Sequence, residues 1–351
     1  MGELSGVKPQ RISVFDVAKA IGIIIVVYAH INCTPELLIF FYAFHMPLFF
    51  VLSGLFFNKN KYTFRQFLLN RFLTIICPYL FFYTCMILFN LCVRMINQGF
   101  SWELVASFKD VFIQMFIAQN SSKVICAPLW FVPCLFIMEM MYFFIAKLKT
   151  VWNIVVCSIL VAVGWLLETQ FTLVAPYLIW SIDSACFAIG FYAIGNLTST
   201  YVKKLVAMIV NHKYKYLIGL GIFVVSFACM TPLAFLNGKI SLGSKILNNG
   251  ALIYATGLLG TAGVIGLAIV LEKVKCLVWV GRNTFCIMAV HYFLYFKIKA
   301  IVEKVIVYNE ENILQTIVVS IICFGASLVC VVVYNFLKKL LFNRKKKEKT
   351  N

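Results

Sequence analysis

Charge is what this chain has least of. Only 13% of its 351 residues are Asp, Glu, Lys or Arg, while 62% are apolar. Soluble domains carry roughly a quarter charged residues, so this ratio excludes an ordinary cytosolic enzyme, a disordered segment and a coiled coil. No Cys-x-x-Cys pair occurs among the 13 cysteines, and no His/Cys spacing suits zinc. The cysteines stand singly in apolar runs (Cys77, Cys85, Cys92, Cys157, Cys186, Cys323, Cys330), where a thiol packs as a small buried hydrophobe. A disulfide scaffold is thereby excluded, and no metal site is expected. Acidic residues are scarcer than basic ones, 13 against 31, for a formal charge of +18. In a soluble chain that excess would indicate nucleic acid. Here no nucleic-acid partner is expected, because the excess resolves loop by loop.

What the chain has in quantity is apolar length. A bilayer core of ~30 Å takes about 20 apolar residues per helix. About ten runs qualify by that measure: 13–31, 36–57, 72–93, 126–146, 151–167, 175–197, 216–236, 251–271, 276–296 and 312–337. The expected fold class is therefore all-α, a polytopic integral membrane protein with the lipid bilayer as its solvent. The stretch 101–118 is amphipathic and is expected at the interface or re-entering it. No compositional break and no internal repeat divides residues 1–351, so one membrane domain is expected. The first run follows Lys8 and Arg11 as a signal peptide would. It carries Asp16 and Lys19 in its opening turns and shows no small-x-small cleavage site, and it reads as a retained first helix.

The basic residues suggest an orientation. With residues 1–12 inside, the inner connections hold Lys59, Lys61, Arg65 and Arg71, then Lys147 and Lys149, then Lys203, Lys204, Lys213 and Lys215, then Lys273 and Lys275, and the tail 338–351. The outer ones hold fewer: Arg94, Lys109, Lys123, Lys239, Lys245, Lys297, Lys299 and Lys304. That alternation follows the positive-inside rule and places both termini in the cytoplasm, in a cell (plasma) membrane, with a basic tail near anionic lipid.

Ionisable groups inside a spanning helix are costly and count as functional candidates. The first helix holds Asp16, Lys19 and His30. At about 100° per residue, the steps from Lys19 and from Asp16 to His30 each close to within about 40° of whole turns, so the three share a face. The rise puts Lys19 ~16 Å nearer the cytoplasm than His30. The plain reading is a snorkelling lysine and a hydrogen-bonded core histidine. Against it stand the alignment with Asp16 and a second histidine, His45, in the run Phe44-His45-Met46-Pro47-Leu48-Phe49-Phe50, which a short outer loop can bring near His30. Pro47 is expected to break one backbone bond there, and Ser53-Gly54 to admit a neighbouring helix or a ligand.

Asp16-x-x-Lys19-x-x-Gly22-Ile23-x-x-Val26-Val27-x-x-His30, followed by the His45 run and Ser53-Gly54, resembles the membrane acyltransferase-3 family, closest to its fucose 4-O-acetylase-like branch. A basic residue, ten positions and a histidine is that family's signature. Arg71 with Pro78-Tyr79, Leu129-Trp130-Phe131-Val132-Pro133 with Phe136 and Glu139, Phe191-Tyr192-Ala193-Ile194-Gly195, Gly250 through Gly260, and Gly281-Arg282-Asn283-Thr284 with His291 are similar to its later blocks. One position departs: Thr74 stands where many members have a second Arg.

The resemblance implies transfer of an acetyl group from cytoplasmic acetyl-coenzyme A, as acyl donor and co-substrate, to a hydroxyl of a cell-surface or exported carbohydrate. His30 would act as base or as acyl carrier, with Asp16, Lys19 and His45 as the other catalytic candidates, Asp16 being too far down the helix to touch His30. Neutral imidazole suits the first role near pH 7, and the second stays open. Lys19, Arg71 and Arg282 are the expected donor-phosphate cations. Trp130, Tyr79, Asn283, His291 and Glu139 are the expected acceptor-side residues, although single aromatics in apolar runs are more often core. Asp16 is expected to pair Lys19. The rival reading is a transporter or a flippase of lipid-linked sugar. It predicts paired broken helices and repeats, and the sequence shows neither pattern. Nothing in the residues signals an oligomeric state.

Overall fold

The computed structural model describes residues 12–31, 34–117, 126–170, 178–305 and 312–347, with side chains to residue 340. Lys8, Arg11, Lys123, the start of the 175–197 run and the end of the tail lie outside them. The regular structure of the described residues is helical, with one isolated bridge, Ser241 to Ile246, in place of any strand.

Helix α1 (Ser13–Ala29) carries Asp16 in its first turn, where a carboxylate complements the helix dipole. Thr34 caps α2 (Pro35–Tyr42), with Pro35 at its first position. The chain then turns at Ala43 and Phe44 and restarts as α3 (His45–Leu55). The expected break at Pro47 is thus corrected. Pro47 sits in the first turn of α3, where its missing N–H is not needed, and the break falls before His45. A capping box of Thr63 and Gln66 opens α4 (Phe64–Arg71). It runs through a π-turn, Phe72–Ile76, into α5 (Cys77–Gln98). Pro78 explains the π-turn: its ring cannot sit over the carbonyl of Thr74, so the helix widens there.

The expected interfacial stretch folds as two short helices, α6 (Trp102–Ser107) and α7 (Lys109–Ile117). A 3-10 turn, Ala127–Trp130, leads into α8 (Phe131–Ile145), followed by α9 (Thr150–Thr169) and α10 (Ile182–Leu197). Helix α11 (Ser199–Val210) is amphipathic and lies where the sequence reading placed a loop. The last five are α12 (Lys215–Asn237), α13 (Gly250–Val270), α14 (Lys275–Arg282), α15 (Thr284–Val302) and α16 (Ile313–Lys347). The expected run 276–296 is broken at Asn283, between α14 and α15.

Among the described residues, eight helical stretches are long and apolar enough to cross a bilayer. The two remaining candidates, α1 and α10, have 17 and 16 residues and fall short on length. Both are central. Helices α3, α13, α14 and α15 enclose α1, and α3, α8 and α9 enclose α10, so neither has to match the bilayer by itself. Small residues set the crossings. A Cβ on Gly54 would lie within 2.1 Å of the Tyr192 carbonyl and one on Gly195 within 2.2 Å of that of Val51. Helices α3 and α10 therefore cross at backbone contact. Outward faces of α5, α9, α12 and α16 expose Leu, Ile, Val and Phe, as lipid-facing surface does. Cys85 and Cys92 belong to that surface rather than to the core, a correction to the sequence reading.

Candidate active site

One face of α1 lines a cavity of about 460 Å³ with Lys19, Ile23, Val26 and His30, the helical spacing that the polar stripe implied. Pro47 and Gly54 of α3 pack into the bundle, while His45, Phe49 and Ser53 face the cavity. Trp130, the turn Ser241–Ser244, Gly281, Arg282 and Tyr292 complete most of the wall. The space is long, with cations at one end and imidazoles and hydroxyls at the other.

The three intramembrane histidines share one device. His30 Nδ1 donates to the Val26 carbonyl (2.7 Å), His45 Nδ1 to that of Phe41 (2.8 Å), and His291 Nδ1 to those of Met288 (2.9 Å) and Ile287 (3.1 Å). A carbonyl only accepts, so in each ring Nδ1 carries a hydrogen, and in the neutral ring Nε2 keeps the lone pair. The rings are adjacent. His30 lies 5.3 Å from His291, and Tyr42 bridges His30 (6.3 Å) and His45 (4.7 Å), centroid to centroid. His30 and His45 line the cavity, while His291 is fully buried behind His30 with Nε2 unbonded.

At the other end, Arg282 Nε bonds Asp16 Oδ2 (3.2 Å). The Asp16 carboxylate is buried and the guanidinium half exposed, which marks the mouth of the cavity. This ion pair joins α1 to α14, a contact that spacing along α1 did not foretell. Gly281 permits it, because a Cβ there would strike the Asp16 carbonyl. Lys19 Nζ lies over the Phe56 ring (5.2 Å), and so does Lys203 Nζ of α11 (4.9 Å). Partial burial pulls Lys203 below the ordinary lysine pKa, since desolvation disfavours its charge. Cations thus gather at the mouth.

A family model described as an acyltransferase domain matches residues 12–335. The chain belongs to the acyltransferase-3 family. No curated protein and no solved structure matches it. This is a multi-pass membrane acyltransferase, and the family assignment does not favour the transporter reading.

Several residues singled out in the sequence stand elsewhere in the acyltransferase. Arg71 is absent from the cavity wall; its Nε bonds Glu139 Oε2 (2.8 Å), and Tyr192 donates to Glu139 Oε1 (3.3 Å). The Tyr79 hydroxyl is buried and donates to the Met115 carbonyl (2.9 Å), holding α7. Asn283 bonds the Trp279 carbonyl and the Asn335 amide, joining the α14–α15 break to α16. Arg71, Tyr79, Glu139 and Asn283 are thus held by protein partners away from the cavity wall. His291 is likewise off the wall, though in contact with His30. Lys19, Arg282, His30, His45 and Trp130 line one space.

Sequence reasoning missed Tyr42, Tyr292, Lys203 and the turn Ser241–Ser244. It also missed Asp183 and Glu168, buried at 1% and 0% exposure. Asp183 was findable as a charge inside a predicted span and Glu168 as one just beyond the end of another. The Gly- and Ser-rich run 238–244 was findable as a turn.

Proposed function

We propose that this acyltransferase moves an acetyl group from acetyl-coenzyme A to a carbohydrate hydroxyl, in the manner of the fucose 4-O-acetylase-like branch that its motifs resemble. The observation that carries the reading is the single cavity joining the Lys19–Arg282 mouth to His30, ~16 Å along α1. A polyanionic donor has its phosphates at the mouth, where Lys19, Arg282 and Lys203 complement them. Its thin pantetheine arm follows the apolar strip of Ile23 and Val26 to His30. The acceptor occupies the opposite end, beside Trp130 and Tyr42.

His30 Nε2 takes the proton of the sugar hydroxyl as that oxygen attacks the thioester carbonyl. The C–S bond then breaks, and the leaving thiolate recovers the proton from His30. Transfer through an acetyl-imidazole would use the same Nε2 and regenerate it with the same overall balance. His291 is buried off the wall, and of the two rings that line the cavity His30 is the one on the same face of α1 as Lys19.

The test is direct. Purified protein in lipid nanodiscs, given acetyl-labelled coenzyme A and a panel of methyl glycosides, should yield labelled sugar and free coenzyme A. Release of neither overturns the reading. Replacing Lys19 by Ala should raise the Michaelis constant for acetyl-coenzyme A by about tenfold or more, since a charge-assisted phosphate bond contributes ~1.5–3 kcal/mol, with Lys19→Arg close to wild type. An unchanged constant would make Lys19 a topological charge only.

The proposed orientation puts the mouth in the cytoplasm and the protein in the plasma membrane. Reporter fusions at Thr34, Gln170 and Gly238 should score outside, and those at Lys61, Lys204 and the tail inside. A tail scored outside would remove the donor face from the cytoplasm.

A further inference from the structure

Behind the acceptor end of the cavity lies a buried ionic cluster that the transfer step does not use. Lys245 Nζ meets Asp183 Oδ2 at 2.5 Å, with the two side chains 8% and 2% exposed. Glu168, fully buried, stands beside Lys245, Asp183 and Ser184. Such a cluster is costly to bury and calls for a structural reason.

The backbone supplies one. Three non-glycine residues among those described have left-handed φ: Trp180 (59°), Ser181 (50°) and Lys245 (55°). All three frame this ion pair. Left-handed backbone at such residues persists only where its surroundings over-determine it, and it gathers at functional sites. Trp180 is fixed by its Nε1 bond to the Phe116 carbonyl (2.7 Å). Lys245 is fixed by Asp183.

Lys245 belongs to the turn that walls the cavity. Ser241 and Ile246 exchange both backbone hydrogen bonds (2.8 and 3.0 Å), and the Ser244 N–H donates to Ser241 Oγ (3.2 Å). Ser184 Oγ donates to the Leu242 carbonyl (3.2 Å), so Asp183 and Ser184, both in the first turn of α10, grip the turn from behind. In front, Gly243 abuts Trp130: a Cβ there would lie 2.3 Å from the indole Nε1. The turn therefore sets the position of Trp130 and presents backbone groups and serine hydroxyls to the same end of the cavity as His30.

We infer that the Ser241–Ile246 turn is the acceptor-reading wall of the acyltransferase, for a polyhydroxylated ligand laid against Trp130, and that the Lys245–Asp183 pair is the positioning device that holds it. An aromatic face beside convergent hydroxyl and backbone groups suits a sugar, whose C–H face is apolar and whose rim is polar. This rests on the acetyl-transfer reading above, because it names the acceptor subsite of that reaction.

Two measurements on Lys245→Met in nanodiscs test it. Hydrogen exchange of the peptide spanning 239–248 should quicken about tenfold or more as the turn loses its anchor, with the α1 peptide unchanged. The apparent Michaelis constant for the methyl glycoside that the wild type acetylates best should rise about tenfold, while hydrolysis of acetyl-coenzyme A by water stays within about twofold. Should the variant fail to accumulate, the double variant Asp183→Asn, Lys245→Met leaves neither member of the pair charged and carries the same test. Unaltered exchange in 239–248 would overturn the positioning role. Hydrolysis and transfer falling in parallel would overturn the acceptor role, leaving a general packing defect. A wild type that neither hydrolyses acetyl-coenzyme A nor acetylates any glycoside would sink the acetyl-transfer reading and the acceptor role with it, while the exchange data still decide whether the pair holds the turn.

Discussion

Replacing His30 by Ala should lower acyl transfer 10²- to 10⁴-fold, the usual loss when a general base is removed, and further if an acetyl-imidazole forms. The protein should still insert and accumulate. His30 lies at the end of α1, partly exposed to the cavity, and its Nδ1 bond is to a carbonyl one turn back within the same helix. Removing the ring therefore leaves no distant hydrogen-bond partner unbonded among the described residues. No other group on the cavity face of α1 accepts a hydroxyl proton at neutral pH, since Ile23 and Val26 are apolar and Lys19 is a cation ~16 Å away. His45→Ala is the control, because it removes a neighbouring ring and keeps His30 with its Nε2 lone pair. Initial rates of labelled-acetyl transfer, normalised to monodisperse protein, decide the matter. A His30→Ala protein with near-normal transfer would end the mechanism.

Arg71→Ala should act on stability rather than on donor binding. Glu139 is 3% exposed and would be left as an unpaired buried carboxylate, with Tyr192 as its remaining partner. Breaking a buried pair from one side typically costs 3–5 kcal/mol; about 3 is expected here, because the guanidinium is itself partly exposed. The thermal midpoint in detergent should fall, and the Michaelis constant for acetyl-coenzyme A of the protein that remains folded should stay near wild type. Adding Glu139→Gln should recover part of the loss, since the orphaned charge goes with it. A raised donor constant at unchanged midpoint would return Arg71 to the donor site. The pair matters to the fold because it ties α4, at the π-turn forced by Pro78, to α8.

The solvent, the helices and the polar stripe were legible from the residues. Apolar run length and scarce charge require a bilayer, and helical periodicity puts Lys19, Ile23, Val26 and His30 on one face whatever surrounds them. Such information is local, and local patterns survive without knowledge of neighbours. Tertiary structure alone decided the partners. Arg71 and Arg282 both read as cations for donor phosphate, yet one is bound to Glu139 off the cavity and the other meets Asp16 at its mouth. His291 reads as a lone histidine on α15 until packing sets it 5.3 Å from His30. Lys245 and Asp183 are 62 positions apart and pair only because α10 and the turn after α12 meet behind Trp130. Helix lengths differ for the same reason: α1 and α10 are short because protein, rather than lipid, surrounds them. Pairing in a low-dielectric interior is set by which helices cross and where glycine lets them touch, and spacing along one helix carries no record of that.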